Sequence, residues 1–295
     1  MKQPPKPNVL AFQELLDKAK VPKISVVNEI DDMGPPANFQ FINENIYTKG
    51  VPKMSTDFLV GCECTDGCSP KTAKNCTCIA NMDSLPYRRG KLQLQPGQAI
   101  YECNSLCKCG PDCSNRVVQK GRTIELQIVK TQHKGWGVRT MEPIPKGTFV
   151  EEYAGEIITN EEAEKRGQAY DACGLTYLFD LDFECGAESD CDFTIDAYRY
   201  GNVSHFFNHS CDPNLRVYPV FVDHWNLKMH RLAFFATKDI PRFTELTFDY
   251  AGASVVYDEL GSPIPILPHI DQRDKVINKV KCYCGAANCR DYVHL

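Results

Sequence analysis

The chain has 295 residues, 43% hydrophobic and 24% charged, and a formal net charge of −5. Its length holds one large domain or two small ones, and its apolar fraction is ordinary for a globular protein. The acidic balance excludes a nucleic-acid binder that works by bulk charge, and no run approaches the ~18 apolar residues of a membrane span.

Residues 1–7 are rich in proline and lysine and lack the apolar core of a signal peptide. Asn8 reads as a helix N-cap, followed by Val9, Phe12, Leu15, Leu16 and Ala19 at helical spacing, with Pro22 ending the run. Strand-like runs at 24–27 and 39–42 are separated by turn signals such as Gly34-Pro35-Pro36. Residues 61–114 form a cysteine module in which metal must stand in for a hydrophobic core. Short β segments split by glycine and proline follow at 124–129, 137–139, 148–152, 156–158, 178–181, 194–196, 215–222, 232–236 and 246–248. One helix, 160–169, carries acids in its first turn. Residues 252–280 read as a long loop containing Gly261, Pro263, Pro265 and Pro268.

Sixteen cysteines are present. Nine read Cys62-x-Cys64-x3-Cys68-x7-Cys76-x-Cys78 and then Cys103-x3-Cys107-x-Cys109-x3-Cys113. Three more read Cys282-x-Cys284-x4-Cys289, and Cys211 stands alone between the groups. Neighbours in Cys-x-Cys are poorly placed for a disulfide to each other, and the pattern points to zinc in a reducing compartment. Structural zinc takes four ligands, so nine thiolates fill three sites only if three of them bridge two metals each. Two metals with a spare cysteine is the other solution. The C-terminal three lack one ligand, and Cys211 is the natural fourth. Cys173, Cys185 and Cys191 fall outside the pattern.

Residues 151–196 hold fourteen Asp or Glu against two Lys or Arg. Such a stretch is either a solvated acidic face or a groove that attracts a basic peptide. His133-Lys134-Gly135-Trp136-Gly137-Val138 places two glycines around an aromatic, as in a tight β-turn or a close ligand cradle. Aromatics also mark Glu152-Tyr153-Ala154-Gly155-Glu156 and Leu246-Thr247-Phe248-Asp249-Tyr250. Asn208-His209-Ser210-Cys211-Asp212-Pro213-Asn214 sets polar and reactive groups directly after Phe206-Phe207. No Gly-x-Ser-x-Gly, P-loop or His-Glu-x-x-His is present.

In this order, with Tyr177-Leu178-Phe179-Asp180-Leu181-Asp182 between them, these strings resemble the SET-domain protein lysine methyltransferases. The nine-cysteine module, with Tyr101-Glu102-Cys103-Asn104-Ser105 and Asn115-Arg116-Val117-Val118-Gln119, is similar to that of the Su(var) class, fungal members included, which methylates histone H3 at lysine 9. The resemblance implies a mainly β SET fold of several small curled sheets with a pseudoknot, flanked by zinc-binding pre-SET and post-SET modules. It implies an N-terminal helical or extended segment at 1–38, a pre-SET module at 39–120, a catalytic SET domain at 121–252, a flexible loop at 253–280 and a post-SET module at 281–295.

The implied activity is transfer of methyl groups from S-adenosylmethionine to a lysine of the H3 tail in heterochromatin, on chromatin in the nucleus. Direct nucleic-acid or membrane binding is not implied. Matching positions assign Lys134, Gly135, Trp136, Tyr177, Asn208 and His209 to the cofactor, with His205, where many relatives have arginine, as a further contact. Tyr153, Phe179, Phe248 and Tyr250 line the lysine channel, and phenylalanine at 248 implies di- and trimethylation. Tyr292, where relatives often have tryptophan, and Asp182 are assigned to the substrate. The zinc ligands are the nine pre-SET cysteines, for three ions, and Cys211, Cys282, Cys284 and Cys289 for one. A SET-like chromatin-binding module without turnover is the alternative. The 252–280 loop, with Lys275, Lys279 and Lys281 at its end, is either a linker or a segment able to enter the substrate groove and be methylated there.

Overall fold

Period-two patterning makes its first strand at Ile24–Val27, where Ile24 and Val26 enter the core and the alternate residues stay half-buried. The computed structural model describes residues 6–293, apart from 57–58, 72–74, 81, 83, 176, 184–190, 223, 225, 252–254, 258–262 and 266–279. Three sheets carry the architecture. In the first, Ile24–Val27 runs parallel to Leu126–Lys130, which pairs antiparallel with Trp136–Thr140. In the second, Glu156–Thr159 lies between Ile46–Tyr47 and Phe193–Asp196, and Leu178–Asp180 forms the far edge. In the third, Arg231–Ala236 lies between Leu215–Phe221 and Phe149–Tyr153, with Ile100–Tyr101 beyond Leu215–Phe221. The remaining pairings among the described residues are two-stranded. The fold is mainly β and made of several small sheets, as expected. No helix among the described residues is long and apolar enough to cross a membrane.

Each β segment expected between 124 and 248 is a strand, with its ends displaced by at most two residues. The first helix differs from expectation. It spans Pro7–Asp17 with Lys6 as N-cap, while the Asn8 carboxamide oxygen accepts only from its neighbour Val9 N–H. Proline is suited to the first helical position because the N–H it lacks has no partner there. The helix buries Val9, Phe12 and Leu16, and its Gln13 side chain bonds Ile24 O and Val26 N, covering the free edge of the first strand. Phe12 meets Phe206 edge-on at 5.9 Å and Phe39 at 6.1 Å, so this N-terminal segment belongs to the main hydrophobic core.

The second helix, Asn160–Asp171, is capped by Thr159, whose hydroxyl accepts from Glu162 N–H. Its Arg166 holds Asp196 at 2.7 Å and Glu156 at 2.8 Å, fastening the helix to the second sheet. The cysteine module packs as a separate cluster, joined to the main sheets through Glu102. That buried carboxylate accepts from Tyr87 Oη, from the N–H groups of Val117, Val118 and Gln119, and from Gln119 Nε2.

The expected long loop contains a short antiparallel pair, Val255–Tyr257 with Pro263–Pro265. The Val-Val-Tyr run has high β propensity, and proline is tolerated on an edge strand. The loop's Lys275 and Lys279, and with them the expectation that it enters the groove, lie outside the described residues. Beyond it, Val280–Lys281 pairs with Tyr292–Val293 and closes the C-terminal module.

Candidate active site

The two glycines around Trp136 serve different needs. Gly135 has φ +67°, the left-handed region that favours glycine, and its turn is closed by Thr131 N–H donating to Gly135 O at 2.8 Å. Gly137 permits close approach, since a Cβ there would lie 2.8 Å from both Asn208 Nδ2 and Glu245 Oε1. The turn reading holds, and the close approach at Gly137 is to the chain's own Asn208 and Glu245 side chains. Asn208 Nδ2 donates to Trp136 O at 3.2 Å and Glu245 Oε1 at 2.9 Å, and Lys134 Nζ pairs with Glu245 at 2.6 Å. Glu245 thus ties the glycine turn to the Asn208–His209 strand.

Around this frame lies a cleft of about 580 Å³. Its walls include Trp136, Tyr177, Tyr250 and, from the C-terminal module, Tyr283. Tyr283 stacks on His133 at 5.1 Å. His205 also faces it, stacked on Tyr177 with ring centroids 4.5 Å apart. Burial pushes the His205 imidazole down to about 4, so it is neutral near pH 7. Its Nδ1 is 2.7 Å from Ala197 O, a group that only accepts, which places the ring proton on Nδ1.

Tyr250 belongs both to this cleft and to an aromatic cluster beside it. Phe248 lies 4.8 Å from Tyr250 and 4.9 Å from Phe234, and Tyr153 lies 5.4 Å from Phe179. Tyr250 Oη donates to Phe207 O at 2.8 Å and Tyr153 Oη donates to Tyr177 O at 2.7 Å. Each hydroxyl proton is thereby committed to a carbonyl, leaving the oxygen lone pairs to accept. Burial holds both phenols well above the ordinary tyrosine range.

The cysteines satisfy a simple geometric test. Four thiolates about 2.3 Å from one zinc are separated by about 3.8 Å along the tetrahedron edges. Cys62, Cys68 and Cys103 are mutually separated by 3.7, 4.0 and 3.6 Å, and Cys68–Cys76, Cys78–Cys107 and Cys103–Cys113 by 3.7, 3.4 and 3.8 Å. These spacings fit shared metals and are far too long for disulfides. Cys211, Cys282, Cys284 and Cys289 form a further tetrad with sulfurs within 4.8 Å of one another. His209 connects that tetrad to the aromatic cluster. Its Nδ1 accepts from Tyr250 N–H at 3.1 Å, and its Nε2 lies 3.4 Å from Cys211 Sγ and 3.3 Å from Arg290 Nη2. Arg290 adds a second fastening through Asp249 at 2.6 Å.

A family model for the SET domain matches residues 135–251, and one for the Pre-SET motif matches residues 16–116. The histone-lysine N-methyltransferase SUV39H2 of Xenopus tropicalis is 45% identical over 287 residues, covering 96% of this chain and 67% of the frog protein. The chain belongs to the SET-domain histone-lysine methyltransferases. The H3 lysine-9 specific histone-lysine N-methyltransferase of Schizosaccharomyces pombe is 42% identical over 290 residues, 96% of this chain and 57% of that protein. The chain therefore spans between about half and two thirds of these relatives' lengths. The solved structure of KRYPTONITE in complex with mCHH DNA, H3(1-15) peptide and SAH aligns with a TM-score of 0.72 at 32% identity, over 92% of this chain and 51% of that one.

In this SET protein the cleft brings together Lys134, Gly135, Trp136, Tyr177, His205, Asn208 and His209, all the residues assigned to the cofactor from sequence. The aromatic cluster brings together Tyr153, Phe179, Phe248 and Tyr250. Tyr292 and Asp182 are exposed and neither lines the cleft. Sequence reasoning gave no role to Glu245, Phe234, Tyr283 or Arg290. The first and third stand inside motifs already singled out, next to Leu246 and Cys282. Cys173 is exposed and Cys191 half-buried, and Cys185 lies outside the described residues.

Proposed function

We propose that this chain transfers methyl groups from S-adenosylmethionine to the N-terminal tail of histone H3, at lysine 9, carrying it to the di- and trimethyl states. Tyr250 carries the reading, because it lines the cofactor cleft and packs on Phe248 of the aromatic cluster. An amine held in that cluster faces the cleft floor. When bound, S-adenosylmethionine supplies a methyl group on a sulfonium. The chain's own residues do the rest. Free lysine has a pKa of about 10.4, and the apolar rings of Phe179, Phe234 and Phe248 disfavour its ammonium form. Tyr153 and Tyr250 accept from the neutral amine through their free lone pairs and aim its own lone pair at the cleft. They are not the bases, since burial keeps both protonated, and the amine's proton leaves to water before transfer. Trp136, Tyr177 and Tyr250 present ring faces suited to a sulfonium cation. Alignment of two substrates across one floor supplies much of the rate.

His205 contributes a neutral, stacked wall to the cofactor side. Asp182 and the acidic run around it fit the approach of a basic tail, with Tyr292 near the entrance. Residues 39–120 read as the pre-SET module, 121–252 as the catalytic domain and 281–295 as the post-SET module. The nine pre-SET thiolates suit three zinc ions if Cys62, Cys68 and Cys103, the central triangle, are the bridging ligands. The C-terminal tetrad suits a fourth. Neither site offers an open position for catalysis. The nucleus follows from the histone substrate. Transfer of labelled methyl from S-adenosylmethionine to an H3 tail peptide, and its loss when alanine replaces lysine 9 of that peptide, tests the reading. A peptide that binds without turnover establishes the chromatin-binding alternative.

A further inference from the structure

We propose that a basic groove at the seam between the cysteine module and the catalytic sheets binds the phosphate backbone of duplex DNA. The groove, about 350 Å³, presents Arg89, Lys91, Arg116 and Lys120, and no carboxylate lines it. Among the described residues none of these four cations forms an ion pair with a carboxylate. Lys91 Nζ donates to Thr148 Oγ1 at 2.7 Å, and Lys120 Nζ to Cys113 O at 3.3 Å. Arg116 is fixed by the carbonyls of Gly110, Cys103 and Asn104 and lies 4.0 Å from Cys109 Sγ, so it shapes this wall while Arg89, Lys91 and Lys120 supply the charge facing the groove. Elsewhere in this chain of net charge −5, Lys6, Lys108, Arg122, Lys130, Lys134 and Arg166 face carboxylates.

The groove is built, not a chance gathering of mobile side chains. Arg89 (φ +52°) and Gly90 (φ +71°) form the two-residue turn of a hairpin joining Tyr87–Arg88 to Lys91–Leu92. Leu92 N–H bonds Gly147 O at 2.8 Å, pinning the hairpin to the third sheet. On the opposite wall, the Glu102 hydrogen bonds fix the 117–119 turn that precedes Lys120. Two rigid walls of one sign, with Val117 and Phe149 between them, suit a repeating phosphodiester better than a single ion. Bulk charge argues against nucleic-acid binding, but the local field decides contact. The groove shares no residue with the cofactor cleft, so a DNA segment and a histone tail can be held together. A substrate tail emerging from DNA-wrapped histones makes that pairing useful, and to this extent the inference rests on the proposed function.

Fluorescence anisotropy with a labelled 30-base-pair duplex, from low to physiological salt, tests it on the whole zinc-loaded chain. The wild type should bind at low salt with log K falling linearly with log salt, by a slope of about −3 for Arg89, Lys91 and Lys120. Exposed Arg89 and Lys120, changed together to glutamate, should weaken binding at least about tenfold and make the slope shallower by about 2. Lys18 and Lys20 changed to glutamate alter net charge equally outside the groove and should leave the slope intact. The groove variant should methylate free H3 peptide normally and show a raised KM on nucleosomes. Absence of wild-type binding to the duplex, binding of single-stranded RNA alone, or equal effects of the two charge reversals overturns the inference. Duplex binding needs no turnover, so its failure is distinguishable from failure of the methyl-transfer reading.

Discussion

Replacing Glu102 with glutamine should destabilise the junction between cysteine module and catalytic sheets without changing its volume. One carboxylate oxygen accepts from Tyr87 Oη at 2.8 Å and from Val117 and Val118 N–H at 2.7 Å each. The other accepts from Gln119 N–H at 3.2 Å and Gln119 Nε2 at 2.8 Å. An amide can keep its oxygen toward the first three donors only by turning its NH2 on the other two. Gln119 cannot flip in response, because its Nε2 also donates to Cys103 O at 2.9 Å and its Oε1 accepts from Arg116. Two donors lose their acceptor, at about 1–3 kcal/mol each, for a total on the order of 3 kcal/mol. At about 2–4 °C per kcal/mol, the melting midpoint should fall by roughly 6–12 °C. Differential scanning fluorimetry and urea titration of zinc-loaded protein, with metal content checked, measure this. A midpoint within about 1 °C of wild type, with zinc retained, would refute the reasoning.

Phe248→Tyr places a hydroxyl among Phe179, Phe234 and Tyr250, where it can hold a water in the space that further methyl groups need. Mass spectrometry of the peptide product should show a shift toward monomethyl-lysine, and an unchanged methylation profile contradicts the assignment. Gly137→Ala puts a methyl 2.8 Å from Asn208 Nδ2 and 3.0 Å from Thr131 Cγ2. Calorimetric affinity for S-adenosylmethionine should fall at least about tenfold, the equivalent of about 1.4 kcal/mol, and unaltered affinity rejects the close-packing account. Burial pushes the Glu152 carboxyl up to about 7, only partly offset by Arg231 at 3.7 Å. Its folded form binds a proton more tightly than the unfolded chain, so its contribution is fully present below about 4.5 and is lost as pH rises toward 7. Glu152→Gln should therefore gain stability relative to wild type on going from pH 5 to pH 8, by up to about 3 kcal/mol, and a pH-independent difference in urea midpoint removes the basis for this.

The long strands were legible because the runs of β-branched, aromatic and other apolar residues at 215–221 and 231–236 are local information. The pairing of Asn208–His209 with Thr247–Phe248 was not, since a two-residue strand at 208–209 has no period and its partner is distant in sequence. The same limit applies to the site. Asn208 and Trp136 were readable as motif members, but nothing local says that Glu245 lies between them. The helix start was misplaced because Asn8 and Pro7 are both good start signals, and only packing decides the register. The cysteine spacing predicted the ligand set, while the central position of Cys62, Cys68 and Cys103 required the folded chain.

The first helix makes chain order a poor guide to mechanical order. Phe12 rests on the ring of Phe206, two residues before Asn208, so the first helix packs beside the Asn208–His209 strand although the whole cysteine module separates them in sequence. Anything joined upstream of residue 6 therefore meets the molecule at a helix packed two residues from Asn208.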